Sequence, residues 1–296
     1  MAVTVQPSGP DLREPASWRR TKNRIATGLM VFAALLMAVP LGFVLWTVIS
    51  KGASVISWSF LTGGIVPQFE PAGQGGMGPA IAGTLEITGV ATLMAAPLGV
   101  LGAIYLNEYG GKGPLARLVR MMSDVMSGVP SVVMGLFLFS IWVLHFGFSG
   151  LAGAFALACL MLPIVIRSTE EMLKLVPDPL REASYALGAS KARVTITVVL
   201  PAAISGIVSG TLLAVARAAG ETAPLLFTIL TATAINLNMF SGGDTALSAQ
   251  IFTNAQSVYT GAQARAWGAA LTLIVIAFIL MIAARVITAR FTRYSR

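Results

Sequence analysis

Long apolar runs separated by short polar, proline- and glycine-bearing stretches dominate this chain. They fall at about 25–49, 81–106, 121–146, 151–170, 194–230 and 266–287. About 20 consecutive apolar residues suffice for a helix to cross a bilayer. The pattern therefore predicts an all-α integral membrane protein with six transmembrane helices. The fifth run is too long for one straight crossing, since residues 202–226 alone would extend roughly 37 Å as a helix. Pro201 and Pro224 bracket it and predict a bend near each end. Within it Gly206 and Gly210, flanked by Ser205 and Ser209, have the spacing that lets helix backbones pack closely.

Between the fourth and fifth runs, the polar segment carries its own helix signals. Pro177 and Pro179 interrupt the preceding span, and Asp178 before Pro179 predicts an N-cap. From there Leu180, Ala183 and Leu187 share one face, while Arg181 and Glu182 point elsewhere. Gly188 is suited to end the helix in the left-handed conformation. A short capped helix with a small apolar face suits a groove on another protein, and equally a membrane surface.

Composition agrees with a membrane chain. Apolar residues make up 56% and charged residues 11%, against roughly 25% charged in soluble proteins, and mean hydropathy is +0.80. The net charge of +8 is distributed by topology and does not point to nucleic acid. Arg19, Arg20, Lys22 and Arg24, then Lys112, Arg117 and Arg120, then Lys174, Arg181, Lys191 and Arg193, then Arg285, Arg290, Arg293 and Arg296 all fall on one side of a six-span layout. The other side keeps little beyond Lys51 and Arg265. By the positive-inside rule, both termini and the 177–201 loop are expected to be cytoplasmic, in a multi-pass plasma (inner) membrane protein.

The run from 25 is too long for a signal-peptide core, so residues 1–24 read as a basic cytoplasmic tail and 25–79 as a retained first span with an outer Gly-rich loop. Residues 80–290 then form the core, and 291–296 a cytoplasmic end. The outer segments 50–79 and 231–263 are placed to meet an external protein, and equally to be solvated loops. One cysteine, Cys159, and one histidine, His145, leave no disulfide framework, metal cluster or nucleophile–base set. No phosphate-binding loop of the ATPase kind occurs either, because Gly110-Gly111-Lys112-Gly113 lacks the spacing.

Glu182-Ala183-Ser184-Tyr185-Ala186-Leu187-Gly188, followed after nine residues by Val198-Val199-Leu200-Pro201, resembles the EAA loop of ATP-binding-cassette import permeases, E-A-A-x3-G-x9-I-x-L-P. Ser184 replaces the usual second Ala, and Val198 the usual Ile. The resemblance implies that Glu182, Ala183, Ser184 and Gly188 couple the chain to a separate ATPase, which would bind the ATP and Mg while this chain binds no cofactor.

Charges inside the apolar runs carry the remaining chemistry. Arg167, Arg217 and Glu221 lie there, and an Arg at mid-bilayer costs about 2.5–3.5 kcal/mol unless it meets a partner or a cavity. Arg217 and Glu221 are four apart and can pair on one helical face. Arg167 has no partner in its own turn, and Pro163 before it predicts an opened helix lining a cavity. Guanidinium groups suit a tetrahedral oxyanion. A terminal Arg167 snorkelling to water is the competing reading. Asp124 reads as a helix-start or ion-pair residue.

Ala216-Arg217-Ala218-Ala219-Gly220-Glu221-Thr222-Ala223-Pro224-Leu225-Leu226-Phe227-Thr228 and Ser127-Gly128-Val129-Pro130-Ser131-Val132-Val133-Met134-Gly135-Leu136-Phe137 resemble segments of phosphate-specific import permeases, in the form of their A-type subunit. This implies a type I ABC importer permease architecture, without catalysis of its own, importing inorganic phosphate. It also implies a sister C-type permease, two copies of a cytoplasmic ATPase, an extracytoplasmic phosphate-binding protein, and a substrate pathway at Arg167, Arg217 and Glu221. Glu221 could further accept a hydrogen bond from monohydrogen phosphate that sulfate cannot offer. Sulfate or molybdate import, and an ion-coupled anion transporter working alone, are the alternatives.

Overall fold

The computed structural model describes residues 16–111 and 113–294, so the tail before Ala16, Lys112, Ser295 and Arg296 lie outside the described residues. Residues 1–50 and 51–296 form two units. In the first, helix α1 (Ala16–Gly52) begins inside the stretch read as tail and runs through Pro40 without ending.

In the second unit, α2 (Trp58–Thr62) is a short turn capped by the Ser57 hydroxyl, which accepts from the Phe60 amide. It leads into α3 (Gly78–Ile104), prolonged by a π-helical turn at Tyr105–Tyr109. Next come α4 (Pro114–Gly128) and α5 (Ser131–Leu138), the latter continued through a π-helical turn, Phe139–Val143, into α6 (Leu144–Phe146). Helix α7 (Gly150–Lys174) is continuous. The polar loop folds as α8 (Asp178–Ala186) and α9 (Lys191–Val194). A π-helical turn at Thr195–Val199 joins α9 to α10 (Leu200–Ala219), and α11 (Ala223–Thr228), α12 (Leu247–Ala255) and α13 (Thr260–Tyr294) complete the order.

Among the described residues, five helices are long and apolar enough to cross a membrane, and the bent pair α4 and α5–α6, counted as one span, makes a sixth. The fold is thus all-α with six spans, and the third departs from the expected straight crossing. Pro130 disfavours helical geometry at Val129, which adopts φ −70°, ψ 126°. The two halves consequently meet at 103°. The fifth run also differs. No break occurs at Pro201, which lies inside a helix continuous from Lys191 to Ala219, and the π-helical turn Thr195–Val199 directly precedes it. Near Pro224 the expected bend is present: the helix stops at Ala219, and Gly220, Glu221 and Thr222 form a turn before Pro224 re-enters a short helix.

Helix α7 is the centre of packing. Against α3 it buries Leu157, Met161 and Val165 with Ile87, Ala91 and Ala95. The approach is close enough that a Cβ on Gly99 would sit 2.7 Å from Val165 Cγ1. Helix α10 meets its other side, where side chains on Gly206 and Gly210 would strike Met172 and Ser168. The expected small-residue packing is therefore realised within one chain.

Candidate functional site

The loop motif forms a projecting helix. In α8 the N-cap is Pro177, not Asp178 as its residue type suggested; Asp178 opens the first turn instead. There its carboxylate accepts from Arg181 Nη1 at 3.0 Å. Arg181 anchors the helix. Its Nη1 also donates to the Val176 carbonyl at 2.6 Å, and its Nη2 to the Leu173 carbonyl at 2.9 Å and the Glu108 carboxylate at 3.2 Å. The Arg181 side chain is 13% exposed and that of Glu108 5%, so this pair is desolvated and hydrogen-bonded throughout. Asn107 donates to the same Glu108 oxygen at 2.8 Å.

With Arg181 turned inward, Leu180, Ala183 and Leu187 face out, Leu187 at 89% exposure, and Glu182 is exposed beside them. The Ser184 hydroxyl donates to the Leu180 carbonyl at 2.9 Å, which lets serine stand where alanine is usual. Gly188 adopts φ +79° and ends the helix as expected, its amide donating to the Tyr185 carbonyl at 2.9 Å. The Ser190 hydroxyl caps the next turn.

Arg167 is not a lone guanidinium. Asp124, on α4, accepts a hydrogen bond from its Nη2. Helix α7 also runs intact past Pro163, so the cavity beside Arg167 does not come from an opened helix. The two residues line a cavity of about 220 Å³ with Arg120, Glu170, Glu171 and Lys174. Glu170 accepts from Arg120 at 3.1 Å and pairs with Lys174 at 2.9 Å. Arg120 is further held by the Leu106 and Gly111 carbonyls.

Arg217 Nε and Glu221 Oε1 lie 3.7 Å apart. The pairing is as expected, but not from one helical face, because Glu221 lies beyond the end of α10 in the turn, with its amide on the Ala218 carbonyl. The Arg217 side chain is 70% exposed and that of Glu221 21%. Both line a second cavity, of about 260 Å³, with Ser127, Pro130, Ser131, Pro163 and Ile164. The bend in the third span makes this cavity possible. It brings α5 onto α11 so tightly that a Cβ on Gly135 would lie 2.7 Å from Pro224 Cα. The two arginines therefore line two cavities, not one.

Two features at the opposite end of the helices escaped the sequence reading. Arg265, 1% exposed, donates to the carbonyls of Pro67, Gln68, Glu70 and Pro71 at 2.9–3.2 Å and fastens the Gly-rich loop to α13. An arginine in an otherwise charge-poor segment was the only signal. Asp244 is buried in the 229–246 segment. Its Oδ1 accepts from the Thr245 amide at 2.7 Å, and its Oδ2 has no hydrogen-bond partner. Burial, then the nearby charge of Glu86, push its carboxyl up to about 6 against the opposing Thr245 hydrogen bond.

Compared with known proteins, residues 95–293 match the family model described as binding-protein-dependent transport system inner membrane component. A phosphate transport system permease protein, PstA 1 of Mycobacterium tuberculosis (strain ATCC 25618 / H37Rv), is 42% identical over 98% of this chain and 96% of its own. PstA of Yersinia pestis is 44% identical over 94% of each chain. Among solved structures, a bacterial alginate ABC transporter in complex with an alginate-bound periplasmic protein matches with a TM-score of 0.65 at 13% identity. That match covers 94% of this chain and 99% of the other, and it establishes the permease fold alone.

Proposed function

The chain belongs to the binding-protein-dependent inner membrane transport components, and within them to the PstA permeases, and from that membership we propose that it is the translocation subunit of an ATP-driven inorganic phosphate importer. The observation that carries this reading is the 260 Å³ cavity. It joins the two sequence segments most like phosphate permeases and has a guanidinium and a carboxylate on its wall.

Arg217 lines the cavity and its side chain is 70% exposed. A sister permease of the C type completes the enclosure. Within it Arg217 replaces part of the hydration shell of the anion, and Glu221 keeps the guanidinium neutralised when the cavity is empty. The Ser131 hydroxyl, on the same wall, supplies an uncharged donor, whereas that of Ser127 donates to the Ser123 carbonyl. A transport site must release what it binds, so few fixed contacts suit it.

Energy enters at the other motif. Two copies of a cytoplasmic ATPase bind ATP and Mg, and each permease offers one of them a short helix. Here that helix is α8, with Leu180, Ala183 and Leu187 outward and both termini on the same, cytoplasmic, side. An extracytoplasmic phosphate-binding protein delivers the anion to the far end.

Uptake of labelled phosphate by the complex reconstituted in liposomes tests the reading. Arg217→Gln is expected to abolish uptake while the complex still purifies intact. Full phosphate uptake by that assembled variant, or preferential uptake of sulfate or molybdate by the wild type, overturns it.

A further inference from the structure

We propose that Asp124 is a resident stand-in for the transported anion. It occupies the Arg167 guanidinium while the pathway is empty and is displaced when the anion passes. This rests on the importer reading above and deepens it by naming the residue that discharges the anion from its second arginine.

The cations of the 220 Å³ cavity are not held alike. Arg120 has two backbone carbonyls and Glu170, and Lys174 also has Glu170. Among the described residues, Arg167 is bonded to Asp124 alone. A guanidinium has five N–H donors, so most of its capacity remains open to a second acceptor. Both partners are more than half exposed at the side chain, 58% and 59%. An ion pair of that exposure adds little stability, so this contact is readily broken, unlike the desolvated Arg181–Glu108 pair.

Charge and position specify what breaks it. The cavity wall carries three cations, Arg120, Arg167 and Lys174, and three carboxylates, Asp124, Glu170 and Glu171. While Asp124 holds its post, the wall is neutral and no anion is trapped. A carboxylate and a phosphate can each offer guanidinium a pair of oxygens, so one can replace the other on Arg167 without rebuilding the site. The two cavities also run in series. Ser127 of the 260 Å³ cavity lies three residues beyond Asp124 on α4, and Pro163 and Ile164 of the same cavity lie four and three before Arg167 on α7. One helical turn, about 5 Å, separates them on both helices. An anion leaving Arg217 along this seam next meets Arg167, and Asp124 is the group that takes the guanidinium back.

The test is phosphate retention by the purified permease–ATPase complex without binding protein, read with radiolabelled phosphate, beside uptake in liposomes. Asp124→Asn keeps the shape but removes the competing charge. Retention is expected to tighten about threefold to fivefold, since so exposed a pair competes only weakly, and maximal uptake to fall. Adding Arg167→Gln should return retention to the wild-type level. Asp124→Glu, which restores a carboxylate, should behave like the wild type. Unchanged retention in an assembled Asp124→Asn complex overturns the proposal. If Asp124→Asn does not assemble, Asp124→Ser is measured in its place, and failure of both to assemble makes the pair structural and likewise overturns it. A wild-type complex that takes up no phosphate sinks the importer reading itself, whereas normal wild-type uptake with unchanged retention in the variant sinks this proposal only.

Discussion

Replacing Arg181 by Met should detach α8 from the body of the permease. Four acceptors lose their donor at once: the carbonyls of Leu173 and Val176 and the carboxylates of Asp178 and Glu108. Asp178 is exposed and returns to water, but Glu108 is 5% exposed at the side chain and keeps only the Asn107 amide. Breaking one side of a buried pair costs about 3–5 kcal/mol. The lower value raises the undocked population of α8 about a hundredfold, at 1.4 kcal/mol per decade. Hydrogen exchange of the 178–188 amides in the reconstituted complex measures that population directly. Exchange about a hundredfold faster is expected, with phosphate uptake lost and ATP hydrolysis no longer responsive to binding protein. Adding Glu108→Gln removes the stranded charge and should recover part of the loss in a double-mutant cycle. Exchange within twofold of wild type in Arg181→Met would refute the anchoring argument.

Two further perturbations probe the opposite end. Asp244 is raised from 3.8 to about 6 in the folded chain, so the native state holds its proton more tightly than the unfolded one. The stabilisation is fully present below pH 3.8 and lost as pH rises through about 6, to a limit of about 3 kcal/mol. Asp244→Asn, whose amide oxygen can keep the Thr245 hydrogen bond, should flatten this dependence and raise the melting temperature at pH 7.5, measured in detergent; an unchanged pH profile counts against it. Arg265→Met strands four loop carbonyls, and limited proteolysis within residues 63–78 should accelerate well before the transmembrane helices melt, whereas unchanged cleavage would show that the loop is held by other contacts.

Much of this architecture was legible because membrane burial writes long apolar runs, and the glycine at 188 needs a backbone conformation that few other residues adopt. The misses share a cause. Val129-Pro130 signals a turn, but the apolar residues on both sides read as one crossing, because hydropathy carries no direction. Asp178 has the chemistry of a cap, yet Pro177 takes that position and leaves the aspartate free for Arg181. The partners of Arg167 and Arg181, Asp124 and Glu108, lie 43 and 73 residues away in sequence. Helical periodicity reaches only the next turn, so tertiary pairs of this kind leave no local pattern. The Arg217–Glu221 pair, four residues apart, could be read directly.

The Leu173 carbonyl that receives Arg181 belongs to the same rigid rod as Arg167. The two are six positions apart, about 9 Å of helix. On the proposed reading, a pull on α8 passes through Arg181 to the final turns of α7, where Arg167 and Asp124 sit on separate helices. On that reading, power stroke and ion release are two ends of a single short lever.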